Sequence, residues 1–244
     1  MDTAYRQPIT AYCLPTTSRP MKTLLPIAIA LLAISSSAHA VVIVEPTRTF
    51  TVGTDIADIQ DPTVSFLQTV TDSSILSLTK VEVGLTLVGR GSGGFAGEMF
   101  VSLNKDLGAT ASLLNRVGVS GSDAIGQPYD GWDVTFSDGA VNGDIHTSTL
   151  SSGIQSGIWQ PDGRVFATDT ARTLQLGVFN GGTGNGAWRL SLADLAAGGT
   201  MRLQAWSLTL TGDNGLAPVP EPAEMATAFG AGLLAVAAWR RRKR

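Results

Sequence analysis

Leu203-Gln204-Ala205-Trp206-Ser207-Leu208-Thr209-Leu210 interleaves apolar and polar residues at the spacing of a half-buried strand. The same period recurs upstream. In Val81-Glu82-Val83-Gly84-Leu85-Thr86-Leu87-Val88, the residues Val81, Val83, Leu85 and Leu87 share one face. Trp132-Asp133-Val134-Thr135-Phe136, Leu174-Gln175-Leu176-Gly177-Val178-Phe179 and Trp188-Arg189-Leu190-Ser191-Leu192 alternate as well, and Met99 to Leu103 is a short apolar run. Gly-rich breaks at Gly89 to Gly94, Gly181 to Gly186 and Gly198-Gly199 separate these segments. No 3.6-residue period is sustained in the body. The expected fold class is all-β. Many strands joined by connections of varying length favour a jelly-roll-like β-sandwich over a simple meander.

Composition agrees with that class. The chain has 244 residues, 43% of them hydrophobic and 15% charged, with 28 Gly and 11 Pro. It is too apolar for a disordered chain and too rich in Gly, Ser and Thr for a helical bundle. One folded domain is expected over 41–212. From Val41 to Pro222 there are 9 basic and 18 acidic residues, a net charge of −9, while the other 8 basic residues lie in the two ends. Such an acidic body argues against nucleic acid as a partner, which requires a basic face. It suits divalent cations, or simply solubility outside the cell. Cys13 is the single cysteine, so the domain must be stabilised by its core and not by disulfides.

The two ends resemble address labels. Met21-Lys22-Thr23, the apolar run Leu24 to Ile34 and Ala38-His39-Ala40 follow the order of a secretory signal peptide over 21–40. Cleavage by signal peptidase is expected at Ala38 and Ala40. Residues 1–20 are polar, hold Pro8, Pro15 and Pro20, and fit poorly before such a signal, so Met21 is expected to be the initiator. At the other end, a linker over 213–218 leads to Val219-Pro220-Glu221-Pro222. The apolar Met225 to Trp239 and the basic Arg240-Arg241-Arg242-Lys243-Arg244 follow. The apolar part is shorter than the ~20 residues that comfortably span a bilayer, so a minimal transmembrane helix is expected over 225–239. Its basic flank should stay cytoplasmic.

Pro220-Glu221-Pro222, a short apolar helix and an Arg-rich terminus, in that order over 219–244, resemble the PEP-CTERM sorting signal. That resemblance implies recognition by an exosortase, a membrane-embedded transpeptidase of bacteria that make exopolysaccharide. It further implies an inner-membrane intermediate and then a place at the cell surface or in the extracellular matrix.

A second resemblance lies in the body. Gly186-Ala187-Trp188-Arg189-Leu190-Ser191-Leu192-Ala193-Asp194, then Gly198-Gly199-Thr200 and Leu203-Gln204-Ala205-Trp206-Ser207-Leu208, are similar to the end of a P domain. This P/Homo B module is the β-sandwich that follows the catalytic domain of proprotein convertases. Val134-Thr135-Phe136-Ser137-Asp138-Gly139-Ala140 and the pair Val83 to Leu87, Met99 to Leu103 extend the likeness back to about residue 75. Where that family usually has a His after the Val83-type strand, this chain has the Gly89 to Gly94 loop. The resemblance implies a non-catalytic module, with calcium as a conceivable ligand because some bacterial P domains bind it.

Residues with chemical potential are sparse. His146 is the one histidine beyond the expected cleavage point and reads as a surface-loop residue. A zinc site would need further ligands, and Gly118-Val119-Ser120-Gly121-Ser122 misses the Gly-x-Ser-x-Gly elbow. Gly89-Arg90-Gly91-Ser92-Gly93-Gly94 matches a dinucleotide pattern, but leads towards another strand and not the helix such a site needs. Asp130, Asp133, Asp138 and Asp144 lie close together in sequence and are the weak candidates for calcium, without EF-hand spacing. Trp159, among turn residues, and Trp132 are the candidates for stacking on a sugar, whereas Trp188 and Trp206 fit a buried pattern.

The expected function is therefore that of an exported, non-catalytic β-sandwich with a structural or adhesion role. The alternatives are an exopolysaccharide-binding module and a hydrolase or hydrolase accessory domain centred on His146 or a carboxylate.

Overall fold

A computed structural model describes residues 41–57, 63–90, 95–128, 130–149, 152–197, 199–216 and 222–242. The signal segment with Ala38 and Ala40, the 1–20 stretch, Val219, Pro220, Glu221, Lys243 and Arg244 lie outside the described residues. Among the described residues ten strands form two sheets. The first contains β1 (Val42–Val44), β2 (Arg48–Ile56), β4 (Ser77–Arg90), β7 (Gly131–Phe136), β8 (Ile154–Trp159) and β10 (Thr200–Asp213). The second runs in the order β3 (Val64–Val70), β9 (Gly186–Asp194), β5 (Met99–Lys105), β6 (Thr110–Asn115). The chain is an all-β sandwich.

β10 organises the first sheet. One of its edges pairs along β4, and the other takes both β2 and β1. Its register slips between Leu203 and Ala205 against both neighbours. Against β4, Gln204 is the extra residue of a β-bulge, and against β2 the extra residue lies in β2 at Val52-Gly53; the slip in β10 moves its inward phase by one. That is why Leu203 and Trp206, three apart, are both buried while Gln204 faces solvent. All strand pairs are antiparallel except β7 and β8, which run parallel. A parallel neighbour needs a crossover instead of a tight turn, and the crossover from Ser137 to Gly153 carries His146.

The core lies between the sheets. Val81, Val83, Leu85 and Leu87 of β4, Trp132, Val134 and Phe136 of β7, and Trp206, Leu208 and Leu210 of β10 come from one side. Met99, Val101 and Leu103 of β5 and Trp188, Leu190 and Leu192 of β9 come from the other. Burying one such side chain contributes roughly 1.5–3 kcal/mol before entropy is charged against it.

Two expectations fail here. Leu174 to Phe179 is not a strand, because Leu176–Phe179 forms a 3-10 helix. Asp138 accepts hydrogen bonds from the N–H groups of Leu176 (3.0 Å) and Gly177 (2.6 Å) at its start, and this tertiary cap overrides the local alternation. Asp213, assigned to the linker, is the last residue of β10 and pairs with Val42 and Ser77.

At the C-terminal end, α1 (Pro222–Arg242) has Arg240, Arg241 and Arg242 in its last turn. Among the described residues no helix is long and apolar enough to cross a membrane. As a helix, Met225 to Trp239 rises only about 22 Å, short of a hydrocarbon core of ~30 Å.

Candidate functional site

A groove of about 650 Å³ opens beside Phe100 and Ala193, outward-facing residues of the second sheet. Arg116 and Val119 form part of its lining, and Val165 to Thr168 form another part, with Phe166 69% exposed. Both parts are loops held by polar side chains behind them. Asn115 Nδ2 donates to the carbonyls of Arg164 (3.2 Å) and Val165 (3.1 Å), tying one loop to the end of β6. Arg116 donates from Nε to the Gly97 carbonyl (3.1 Å) and from Nη2 to that of Ala124 (2.9 Å). Gly97 lets the loop pass: a Cβ there would lie 1.8 Å from the Ile125 carbonyl oxygen.

Behind these loops sits a buried charged cluster. Asp162 is fully buried, and its N–H and that of Gly163 donate to the Leu113 and Ser112 carbonyls of β6. Its Oδ2 lies 2.6 Å from His146 Nδ1, and its Oδ1 lies 3.2 Å from Arg164 Nη1. Arg164 reaches on to Asp144 Oδ2 at 2.8 Å, and Arg172 Nε stands 3.4 Å from the same oxygen. Arg172 also donates to the carbonyl of Asp162 and to Gln160 Oε1, each at 2.9 Å.

His146 is thus buried, at 9% exposed, and is not a surface-loop residue. Asp144 caps the 3-10 turn Ile145–Thr147 by accepting from the His146 N–H, which aims the imidazole inward. The second ring nitrogen, Nε2, lies 2.9 Å from the Val119 carbonyl oxygen. A carbonyl only accepts, and so does an ionised carboxylate, so satisfying both contacts requires a proton on each nitrogen. Burial pushes the imidazole pKa down, but the hydrogen bond and charge of Asp162, helped by the Val119 carbonyl, outweigh that and raise it. The Arg164 pKa also rises: burial opposes this, and Asp144 and Asp162 overcome it. An imidazolium with a proton on each nitrogen has no lone pair with which to take a proton from a nucleophile.

The other expected site residues are dispersed. Trp132 is fully buried in β7 opposite Leu87, so it cannot stack on a ligand. It alternates inward with Val134 and Phe136, as its position in the strand dictates. Trp159 packs against the core in part, and its indole N–H donates to the Ser156 carbonyl at 2.9 Å. Trp188 and Trp206 are buried as expected.

The four aspartates do not converge. Asp130 accepts from the Gly153 N–H, Asp133 from the Thr86 hydroxyl, Asp138 from Leu176 and Gly177, and Asp144 from His146. Among the described residues no three His, Cys, Asp or Glu side chains gather as a metal set. Phe95 leads through the 3-10 turn Ala96–Glu98 into β5, so among the described residues no α-helix N-terminus follows the glycine run.

Asp162, Arg164 and Arg172 were not singled out in the sequence, where Pro161-Asp162-Gly163 reads as a turn. One signal was present: in a chain only 15% charged, four of the eleven residues from Asp162 to Arg172 are charged.

No family model matches the chain, and no curated protein matches it. Among solved structures, it is similar to the serine protease of Aeromonas sobria, at TM-score 0.40 and 16% identity. It is also similar to a complex of that protease with its chaperone (ORF2), at TM-score 0.41 and 15% identity. Each match covers 70% of this chain, which spans 27% of the length of the matched chain.

Proposed function

We propose that this protein is exported and sorted by an exosortase-type system to the cell surface or extracellular matrix, where its sandwich has a non-catalytic structural or adhesion role. The observation that carries the reading is the order of its C-terminal parts: Val219-Pro220-Glu221-Pro222, the apolar Met225 to Trp239, then Arg240 to Arg244. In this reading α1 is a short, weakly held anchor that serves until cleavage near Pro220, and the jelly-roll-like, P-domain-like body is the cargo. The body's acidity suits solubility outside the cell. The test is expression in an exosortase-bearing host with and without Pro220→Ala, Glu221→Ala and Pro222→Ala. The expected result is loss of the shortened, surface-extractable form and accumulation of the uncut chain in the membrane fraction. Identical processing of both chains would discard the reading.

An exopolysaccharide-binding role is favoured by one observation only, the exposed Phe166 beside the groove, since Trp132 is buried. Quenching or a shift on titrating the protein with that polysaccharide, abolished by Phe166→Ala, would support it. Unchanged binding in Phe166→Ala would exclude the groove.

A further inference from the structure

We propose that His146 is a protonation-controlled latch. As an imidazolium its ring joins Asp162 to the Val119 carbonyl and holds the two loops of the groove in register; loss of the proton frees one of the two contacts.

The geometry is that of one donor pair between two acceptors. Nδ1 meets the Asp162 carboxylate at 2.6 Å and Nε2 meets the Val119 carbonyl at 2.9 Å. A neutral imidazole carries one N–H, so it can serve only one of them. Its bare nitrogen would face an oxygen lone pair in a buried site, where an unmade hydrogen bond is costly. The two acceptors belong to different segments. Val119 is in the loop from Arg116 to Gly126, which carries Arg116 and Val119 to the groove. Asp162 begins the stretch that carries Val165 to Thr168. The His146 side chain bridges them.

The charged groups around it favour the closed, protonated state. Asp162 is in direct contact, and Asp144 lies on the turn of His146 itself. Arg164 opposes through its positive charge, but is itself paired with Asp144 and Asp162. Arg172 is turned to Asp144 and Gln160. On the opposite loop, Arg116 is bound by the Gly97 and Ala124 carbonyls, and Asp123 accepts from Ile125 and Gly126.

Reciprocity fixes what must be seen. If closure raises the proton affinity of His146 by some factor, deprotonation must loosen closure by the same factor. A rise of one pKa unit corresponds to about tenfold in opening.

The full chain contains two histidines, and His39→Asn leaves His146 as the sole imidazole. Its ring nitrogen resonances, followed with pH, are expected to show both nitrogens protonated at low pH and a midpoint above the ordinary ~6.5. Amide exchange of Val119 to Gly126, corrected for intrinsic pH dependence, is expected to accelerate through that midpoint by the reciprocal factor. A midpoint at or below ~6.5, or exchange that stays flat through the titration, overturns the latch. Asp162→Asn should lower the midpoint and remove the coupled step. Should that variant fail to fold, the two measurements on the His39→Asn protein decide the question alone.

Discussion

Two polar clusters brace this sandwich, and they differ in which partner titrates. Around Glu45, between β1 and β2, one carboxylate gathers mostly neutral donors: the Ser73 hydroxyl at 2.9 Å and the Ser74 N–H at 2.8 Å. Arg48 joins it at 2.9 Å and leads out to the exposed Asp72. Around Asp162, the fully buried carboxylate faces two cations, His146 and Arg164. The first cluster opens to water at Asp72, 78% exposed, whereas in the second His146, Asp162, Arg164, Asp144 and Arg172 are none of them more than 19% exposed. A closed cluster is therefore costlier to break, because removing one member strands charges that cannot reach solvent.

The pH responses are opposite. Burial works against ionisation of Glu45, but Ser74, Ser73 and Arg48 overcome it and lower its pKa. Its contribution is therefore present above the ordinary glutamate range and is lost as pH falls through the lower, folded value. The raised pKa of His146 gives a contribution that is whole below ~6.5 and lost as pH rises through the folded value.

The largest effect is expected from Asp162→Ala, which should cost about 3–5 kcal/mol by urea unfolding near pH 6. A loss no greater than that of a Glu45 variant would collapse the distinction between closed and open clusters. Glu45→Gln keeps the shape but removes the charge, and should cost about 1–3 kcal/mol. Repeating the unfolding series across pH sharpens the contrast. Glu45→Gln should flatten the acid limb and leave the alkaline limb intact, and Asp162→Ala should do the reverse. Asp72→Asn is the smallest perturbation, at the solvent end of the first cluster, and should leave the midpoint unmoved. A clear shift there would mean that the first cluster is not open after all.

Sequence legibility followed periodicity. The faces of β4, β7, β9 and β10 were readable because a two-residue period assigns each side chain without knowing its partner. The same rule should have placed Trp132 inside, between Leu87 on one neighbouring strand and Val134 on its own. The bulge at Gln204 was hidden, since an extra residue shows only as an apolar spacing of three between Leu203 and Trp206. The 3-10 helix Leu176–Phe179 depends on Asp138, and the burial of His146 depends on Asp162 and Val119. No local pattern encodes such pairings across a crossover.

β10 has a consequence for how the body comes together. Strands near the start of the domain, β1 and β2, close on a strand that leaves the ribosome more than 140 residues later. Closing these long loops has to wait for β10, which makes for slow, late folding of the first sheet. Until Thr200 to Asp213 is available, β4 and β2 lack their shared neighbour and the first sheet cannot close. A chain held back in this way stays threadable until its final strand has emerged.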